Sequence, residues 1–305
     1  MPQDAGNPRP DTPITEQRNP ATAEIDRMNP LEIAQAMNAE DARVAEAVRR
    51  ELPQVAAAMQ VIAERLRSDG RLIYLGAGTS GRLGALDAIE CHPTFNIPAD
   101  RIVACVAGGA DALAGATEVA EDDAALGRAD IERLAVVPQD VVVGISASGS
   151  TPYTLGGVAA AREQGAYTIG LACNAGSALE RLVNIMIAPR VGPEVIAGST
   201  RLKAGAAQKM VLNMLSTGAM VLLGKTYGNL MVDVQASNDK LRARARAIVE
   251  SATGLEAEQA TALLRQADGD TKVAILIGRT GLAPAAARAR LAAHNGNLRR
   301  ALEDE

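Results

Sequence analysis

The chain has 305 residues, of which 48% are hydrophobic, and a formal net charge of -5. That length supports one substantial core with appended elements, and the mild acidity without a basic stripe argues against nucleic acid as a partner. The three cysteines, Cys91, Cys105 and Cys173, are isolated and lack metal-ligand spacing, which favours a reducing, cytoplasmic compartment. We see no signal-peptide pattern. The longest apolar stretch, 210–223, is too short and too polar to span a bilayer, so no membrane partner is expected.

Composition and periodicity predict how the chain is organised. Residues 1 to about 20 are rich in Pro, Asn and Asp, which is typical of a disordered tail. Helical periodicity starts near Pro30 and continues to Arg67, with a break at Pro53. We therefore predict a disordered tail at 1–20, an N-terminal helical segment at 21–70, a phosphosugar-binding domain at 71–240 and a C-terminal helical module at 241–305.

An α/β alternation follows the N-terminal helices. Continuous apolar strands that alternate with helices predict a parallel sheet covered on both faces. The expected strands are 71–75, 101–106, 141–145, 167–172 and 184–188, and the expected helices are 80–90, 111–125, 153–163 and 177–182.

A longer helix is expected from Thr200 to Gly224, with the segment Gly198–Thr200 as its cap and Gly224 as its stop. The composition then becomes rich in Ala, Arg and Glu. Breaks at Gly254, 268–270, Gly281 and 295–296 divide this part into helices near 241–252, 256–267, 271–278, 283–292 and 296–303.

Two loops rich in glycine and hydroxyl side chains each follow an apolar strand. The first covers 71–81 and the second 141–152. A strand that feeds a helix through such a loop exposes backbone N–H groups at the positive end of the helix dipole. Because neither loop contains Lys, we expect a sugar phosphate rather than a nucleotide.

Two other interpretations of these loops stay open. The segment 76–81 matches G-x-G-x-x-G, but a dinucleotide site also needs an acidic residue at the end of a second strand, and 101–106 contains none. No G-x-x-x-x-G-K-[ST] motif is present. Alternatively, the glycines serve only to allow tight strand-to-helix turns.

With these elements placed, the chain resembles the sugar isomerase (SIS) domain superfamily and, within it, the N-acetylmuramic acid 6-phosphate etherase family. The glucokinase regulatory protein shares the same phosphosugar-binding core. The segments that carry the resemblance are 15–19 with 25–26, 75–84, 87–91, 120–122, 146–152, 198–205, 212–218 and 228–233.

The resemblance implies a flavodoxin-like parallel sheet of order 2-1-3-4-5. That order places the loops after strands one and three side by side, where both converge on one phosphate. The ligands that it implies are Ser80, Ser146, Ser148 and Thr151, with Thr79 and Ser150 as weaker candidates.

The implied reaction cleaves the D-lactyl ether of N-acetylmuramic acid 6-phosphate with water and needs no cofactor or metal. It requires a base at C2 and an acid for the departing lactate oxygen. Glu90 matches the family's acid and Glu121 its base. Apolar neighbours favour partial burial of Glu90. Alternatively, both glutamates are ordinary surface carboxylates.

One distance complicates this assignment. In an unbroken helix, the ten residues from Ser80 to Glu90 span about 15 Å, which is too far for one hexose phosphate to bridge. We therefore expect either that Glu90 acts in the site of a partner subunit or that the helix ends early. The N-terminal helices and the long apolar helix also suggest a homodimer.

Two cations near the start of the long helix oppose its dipole. Arg201 and Lys203 are therefore candidates to bind the lactate carboxylate or the phosphate, and the alternative is a solvated first turn. His92 is interpreted as a bystander to the chemistry. The remaining functional alternatives are a non-catalytic sugar-phosphate sensor and an aldose–ketose isomerase.

Overall fold

The structure, a computed structural model, describes residues 13–115, 119–234 and 238–304. The described residues form two compact units. The first consists of 13–89 and 100–215, and the second of 90–99 and 216–304. The predicted domain boundaries stay predictions.

The first unit is built on a five-stranded parallel sheet. Its strand order, β2-β1-β3-β4-β5, confirms the predicted flavodoxin-like topology. In register, Gly76 at the end of β1 pairs with Val106 on β2 and with Ile145 on β3. The strands are β1 (Leu72–Gly76), β2 (Ile102–Val106), β3 (Val141–Ile145), β4 (Tyr167–Leu171) and β5 (Ile185–Ile187).

Burial on both faces explains why the central strands are continuously apolar. All five residues of β1 and of β3 are buried, and successive side chains point to opposite faces. Ile73 and Leu75 pack in one cluster with Val142 and Tyr153. Tyr74, between Ile73 and Leu75, instead donates a hydrogen bond of 2.9 Å to the Asp87 carboxylate.

Helices of the first unit connect and flank these strands. At the N-terminus of α1, the Asn29 side chain accepts hydrogen bonds from the Leu31 and Glu32 amides, and the Glu32 carboxylate accepts one from the Asn29 amide, which completes a capping box. The helices are α1 (Pro30–Arg49), α2 (Leu52–Arg67), α3 (Gly78–Phe95), α4 (Asp111–Ala114), α5 (Ala124–Arg133), α6 (Pro152–Glu163) and α7 (Lys203–Leu222). Helices α3 and α7 each continue into the second unit.

Three details differ from the sequence-based expectations. The single helix expected at 111–125 is divided into α4, a 3₁₀ turn at Val119–Asp122 and the start of α5. The segment expected as a helix at 177–182 is a 3₁₀ turn at Leu179–Leu182. Helix α7 begins at Lys203, where the buried Glu194 carboxylate accepts the Lys203 and Ala204 amides, each at 2.9 Å. Glu194 therefore binds the free amides at the start of α7, a role expected of the segment 198–200.

The first described residues, 13–20, also differ from the expected tail, because they form turns and long-range contacts. The rest of the predicted tail, 1–12, lies outside the described residues. A 3₁₀ turn forms at Ile14–Glu16, and Thr15 is completely buried. The Thr22 hydroxyl donates to the Val195 carbonyl at 2.7 Å, and the Asn19 amide donates to the Glu40 carboxylate at 2.9 Å. Side-chain hydrogen bonds to residues distant in sequence therefore fix the position of residues 14–22, although the composition of 1–20 is typical of a disordered tail.

The second unit contains a helical module with its own apolar core. Gly254 and Gly281 end helices in the left-handed conformation, as predicted from the sequence. The Lys272 ammonium donates to Asp233 at 2.6 Å and to the Gly296 carbonyl at 2.8 Å. The helices are α8 (Asp239–Thr253), α9 (Ala257–Gln266), α10 (Thr271–Thr280), α11 (Pro284–Ala293) and α12 (Leu298–Glu303). In the described part of the chain, no helix has the length and apolarity needed to cross a membrane.

Candidate active site

The loops that follow β1 and β3 lie beside each other because these two strands are neighbours in the sheet. A cavity of about 330 Å³ opens at this edge, the carboxyl end of the parallel strands and the usual ligand position of such folds. Its lining residues come from both loops, from two further segments of the sheet edge and from two segments distant in sequence. They are Glu16, Ala77, Gly78, Thr79, Ser80, Arg82, Ala107, Ala112, Glu121, Ala147, Ser148, Thr151 and Thr200.

Hydroxyl groups of the second loop form a connected cluster. The Ser146 hydroxyl accepts the Gly149 amide at 2.9 Å and lies 2.8 Å from the Thr151 hydroxyl and 3.3 Å from that of Ser148. Ser150 donates to the Ser148 oxygen through both its amide and its hydroxyl. Ser148 and Thr151 line the cavity, whereas Ser146 lies buried beneath them.

The N-terminus of α6 begins at this cluster. Thr151 occupies the N-cap position but makes no capping hydrogen bond through its side chain, because its hydroxyl contacts Ser146 instead. Amides of the first helical turn have no partner within a helix, and together with the helix dipole they suit an anion. The second loop therefore has the chemistry of a phosphate site.

The shape of the second loop depends on Gly149 and on Asn174. Gly149 has a φ of +73°, and a Cβ there would lie 2.5 Å from the Ser177 Cβ, so a side chain is excluded. The Asn174 amide donates to the Ala147 carbonyl at 3.1 Å. The same Asn174 side chain accepts the Ile14 amide at 3.0 Å, which ties the N-terminal segment to the phosphate loop.

The first loop contributes Thr79 and Ser80 at the start of α3. The Ser80 hydroxyl donates to the Gln208 side-chain oxygen at 3.1 Å, and both side chains are buried. Gln208 was not identified from the sequence, because a single polar residue in an apolar helix does not indicate which residue it bonds to.

Glu121 brings a carboxylate to the cavity. It lies in the 3₁₀ turn Val119–Asp122 and is half-buried. A Cβ built on Gly78 would stand 3.7 Å from the Glu121 Oε2 atom, so this carboxylate lies against the first loop. Its neighbour Asp123 caps α5 by accepting the Leu126 amide at 2.9 Å. The predicted base and the predicted phosphate ligands thus share one cavity.

Three lining residues with polar side chains were not recognised as site residues from the sequence, namely Glu16, Arg82 and Thr200. The Arg82 guanidinium donates to the carbonyls of Ala112 and Gly115 at 2.8 and 2.6 Å, so it braces one wall. Glu16 and Thr200 come from segments that only the tertiary fold brings to the sheet edge. The sequence marked these two residues only by their place in 15–19 and 198–205, two of the segments that carry the family resemblance.

Family comparisons agree with this geometry. The model of the glucokinase regulatory protein N-terminal SIS domain matches residues 54–162, and that of the SIS domain matches residues 127–218. Together these ranges cover both loops and Glu121.

Full-length relatives decide the family. An N-acetylmuramic acid 6-phosphate etherase of Rubrobacter xylanophilus is 58% identical over 95% of this chain and 95% of its own. Etherases of Salmonella choleraesuis and Rhodopirellula baltica are 53% and 52% identical, over 96% and 94% of this chain and 98% and 95% of their own. The chain belongs to the N-acetylmuramic acid 6-phosphate etherase family.

Among solved structures, a phosphoheptose isomerase of Neisseria gonorrhoeae matches with a TM-score of 0.48 at 20% identity, covering 63% of this chain and 98% of that one.

Family membership confirms the resemblance read from the sequence and identifies the chain as an enzyme, a carbon–oxygen lyase. The individual site residues stay predictions. Five of the ten, Thr79, Ser80, Glu121, Ser148 and Thr151, line the cavity.

Glu90, the predicted acid of the etherase, is exposed on α3, so the expected partial burial is wrong for this chain. The expectation that the helix ends early is also wrong, because α3 continues to Phe95. Two apolar side chains close to Glu90 are exposed too, Leu86 by 45% and Ile89 by 61%.

The two cations predicted near α7 differ in their surroundings. Lys203 is buried and donates to the Glu40 carboxylate at 2.5 Å, so its ammonium has a structural partner. Arg201 is exposed and precedes the first residue of the helix. Neither residue is among those that line the described cavity.

Ser150 and His92 are the remaining residues that the sequence analysis discussed. Ser150 is exposed, and it contacts Ser148. His92 contacts the Ile97 carbonyl through Nδ1 at 2.7 Å, a bond that holds the end of α3. Within the described residues, no group of three or more His, Cys, Asp or Glu has the arrangement of a metal site.

Proposed function

We propose that this protein cleaves the D-lactyl ether of N-acetylmuramic acid 6-phosphate with water, giving N-acetylglucosamine 6-phosphate and D-lactate. One observation carries the proposal beyond family membership. A hydroxyl-rich loop at an uncapped helix N-terminus and the Glu121 carboxylate line the same cavity of about 330 Å³.

Phosphate binding falls to the two loops. The Ser148 and Thr151 hydroxyls and the first amides of α6 donate to the phosphate oxygens. Thr79 adds a hydroxyl donor from the first loop. The Ser80 hydroxyl donates to Gln208 in the free protein, so it must turn away from Gln208 to donate to the phosphate. Ser146 acts from beneath by fixing the positions of Ser148 and Thr151.

Elimination is the route that fits an alkyl ether, whose leaving group is poor. In the open-chain aldehyde, Glu121 removes the proton at C2, which the neighbouring carbonyl acidifies. An acid protonates the lactate oxygen as the C3–O bond breaks, leaving a C2–C3 double bond conjugated with the aldehyde. Water then adds its oxygen to C3 and loses a proton, and C2 regains one, so the two groups exchange roles.

Glu90 is the acid in this scheme, and it acts on the sugar held by a partner subunit of a homodimer. Two observations support this part of the proposal. An unbroken α3 puts about 15 Å of helix between Ser80 and Glu90. Exposed Leu86 and Ile89 beside Glu90 form the kind of apolar surface that a second copy covers.

The test is incubation with N-acetylmuramic acid 6-phosphate in deuterated water. Wild-type protein is expected to release D-lactate and to give product with deuterium at C2. Glu90→Ala is expected to exchange the C2 proton without releasing lactate, and Glu121→Ala to do neither. A folded wild-type protein that binds the sugar phosphate but does neither reaction would contradict the proposal and favour a sensor. A ketose product would instead favour an isomerase.

Mixed dimers test the shared site. One subunit carries Glu90→Ala and the other Glu121→Ala, and each homodimer serves as an inactive control. The hybrid contains one site with an intact pair only if Glu90 acts across the interface. About half of the wild-type activity per dimer is then expected, and an inactive hybrid would contradict the shared site.

The compartment proposed for this enzyme is the cytoplasm. Its three cysteines are free in the structure, which is usual in a reducing compartment.

A further inference from the structure

Glu16 is a second carboxylate in the cavity, on a wall that the proposed mechanism does not use. It lines the same space as Glu121, Ser148 and Thr151. Among the residues that the structure describes, the Glu16 carboxylate has no hydrogen-bond or ion-pair partner. Glu16 is exposed, so water hydrates its carboxylate in the free protein, and a ligand that fills the cavity can supply hydrogen-bond donors in place of this water.

The backbone around Glu16 is held firmly. Thr15 is completely buried, and its carbonyl accepts the Gly198 amide at 3.1 Å. The Ile14 amide donates to Asn174, whose side chain also holds the Ala147 carbonyl of the phosphate loop. Glu16 therefore presents its carboxylate from a fixed wall, positioned through Asn174 relative to the phosphate loop.

Gly198 leaves space for the Glu16 carboxylate. This residue has a φ of +76°, and a Cβ there would lie 2.9 Å from the Glu16 Oε2 atom. A side chain at this position would press directly on the carboxylate. The absence of a side chain at residue 198 thus leaves free the space that the Glu16 carboxylate occupies.

The chemistry of a carboxylate limits what it contacts. An ionised carboxylate accepts hydrogen bonds and donates none, and it repels phosphate. In the proposed function the two loops bind the phosphate, so the groups left for Glu16 are neutral donors on the sugar. We propose that Glu16 binds the sugar hydroxyl groups of the substrate and thereby selects a polyhydroxylated sugar phosphate over a simple phosphate. The identity of the sugar rests on the proposed function above.

Binding measurements separate this role from a structural one. Titration calorimetry of Glu16→Ala with N-acetylglucosamine 6-phosphate is expected to give an affinity weaker than wild type by about tenfold or more, the usual loss for a hydrogen bond to a charged group. Affinity for inorganic phosphate is expected to stay unchanged or to rise, because a negative charge has been removed. Glu16→Gln keeps an acceptor and is expected to lie between the two.

The control is Glu24→Ala, on the same segment, which removes an exposed carboxylate paired with Arg27 at 2.6 Å and is expected to leave both affinities unchanged. Equal weakening for sugar phosphate and inorganic phosphate in Glu16→Ala would mean a structural role and overturn the inference. Unchanged affinity for both would also overturn it.

Kinetics distinguish this inference from the proposed function. If wild type releases D-lactate, Glu16→Ala is expected to raise KM more than it lowers kcat, and a fall in kcat alone would overturn the inference. If wild type releases no lactate but Glu16→Ala still weakens only the sugar phosphate, the proposed function fails and the binding role of Glu16 is supported.

Discussion

The Lys203 ammonium and the Glu40 carboxylate lie 2.5 Å apart, and their side chains are only 1% and 3% exposed. Burial alone would raise the pKa of the Glu40 carboxyl, but hydrogen bonds from Lys203 and Asn19 outweigh burial and hold this pKa below its ordinary value. The pair joins α1 to the start of α7. The structure therefore gives Lys203 a buried ion-pair partner, and its role as a ligand stays a prediction.

Removing one partner of this pair leaves a buried charge alone. We expect Lys203→Ala to lower the free energy of unfolding by about 3–5 kcal/mol, measured by urea denaturation. The double variant Glu40→Leu/Lys203→Met is expected to recover most of this loss, because it buries apolar groups instead. A double variant as unstable as Lys203→Ala would contradict this account.

Asp140 is expected to make the free energy of unfolding depend on pH in the acidic range. Burial would raise its pKa, but hydrogen bonds from the Arg71 side chain and from the Val137 and Arg71 amides lower it. Because the folded pKa lies below the unfolded one, the contribution is present above the ordinary aspartate pKa and disappears as the pH falls through the folded pKa. Between about pH 7 and about pH 2, wild type should lose more unfolding free energy than Asp140→Asn. Equal losses would contradict the assignment.

Ser148 and Ser150 form a matched pair for the phosphate loop. Ser148 lines the cavity, whereas Ser150 is exposed and contacts Ser148. We expect Ser148→Ala to raise KM for the sugar phosphate about tenfold, the loss of one hydrogen bond to a charged group. Ser150→Ala should raise KM less. Steady-state kinetics check both, and a larger effect at Ser150 would contradict the placement of the phosphate.

Gly149 is predicted to tolerate no side chain. Its φ of +73° disfavours L-residues, and the new Cβ would collide with Ser177. We expect Gly149→Ala to cost at least about 1–2 kcal/mol of stability from the backbone conformation and to weaken inorganic phosphate binding. The substitution Gly176→Ala is the control, since that glycine also has a positive φ, of +72°, but open space around it. Similar phosphate affinity in the two variants would show that the shape of the loop is unimportant.

His92 is predicted to affect stability and not chemistry. Its ring contacts the Ile97 carbonyl at 2.7 Å, so His92→Ala should lose about 1 kcal/mol of unfolding free energy. Exchange of the C2 proton, followed by NMR in deuterated water, should proceed at the wild-type rate. A loss of exchange in a folded His92→Ala protein would give the residue a catalytic role.

The sheet was predictable because its signals are local. The five strands form short apolar runs in the sequence, and the loops after β1 and β3 contain their own glycines and hydroxyl residues. Sequence spacing gave the strands to within a residue or two, including β3 at Val141–Ile145. Strand order came from the family resemblance, since no local pattern encodes which strands pair.

The missed features depend on contacts between distant residues. Composition at 1–20 resembles a tail, yet Thr15 is buried because Asn174 and Gly198 bond to its neighbourhood. Likewise, the helix dipole argument for Lys203 overlooked Glu40, which lies 163 positions away in sequence. Periodicity and propensity describe a residue's own element, so partners of this kind stay invisible until the chain is folded.

The link between Ile14 and Asn174 spans 160 positions, and this has a consequence for how the cavity is made during synthesis. The segment that carries Glu16 leaves the ribosome before its bonding partners at 174 and 198, which are made near the end of the first unit. At about 5–20 residues per second, the early segment waits on the order of ten seconds for them. A nascent chain halted before residue 174 thus has its first glycine-rich loop but not a complete binding cavity.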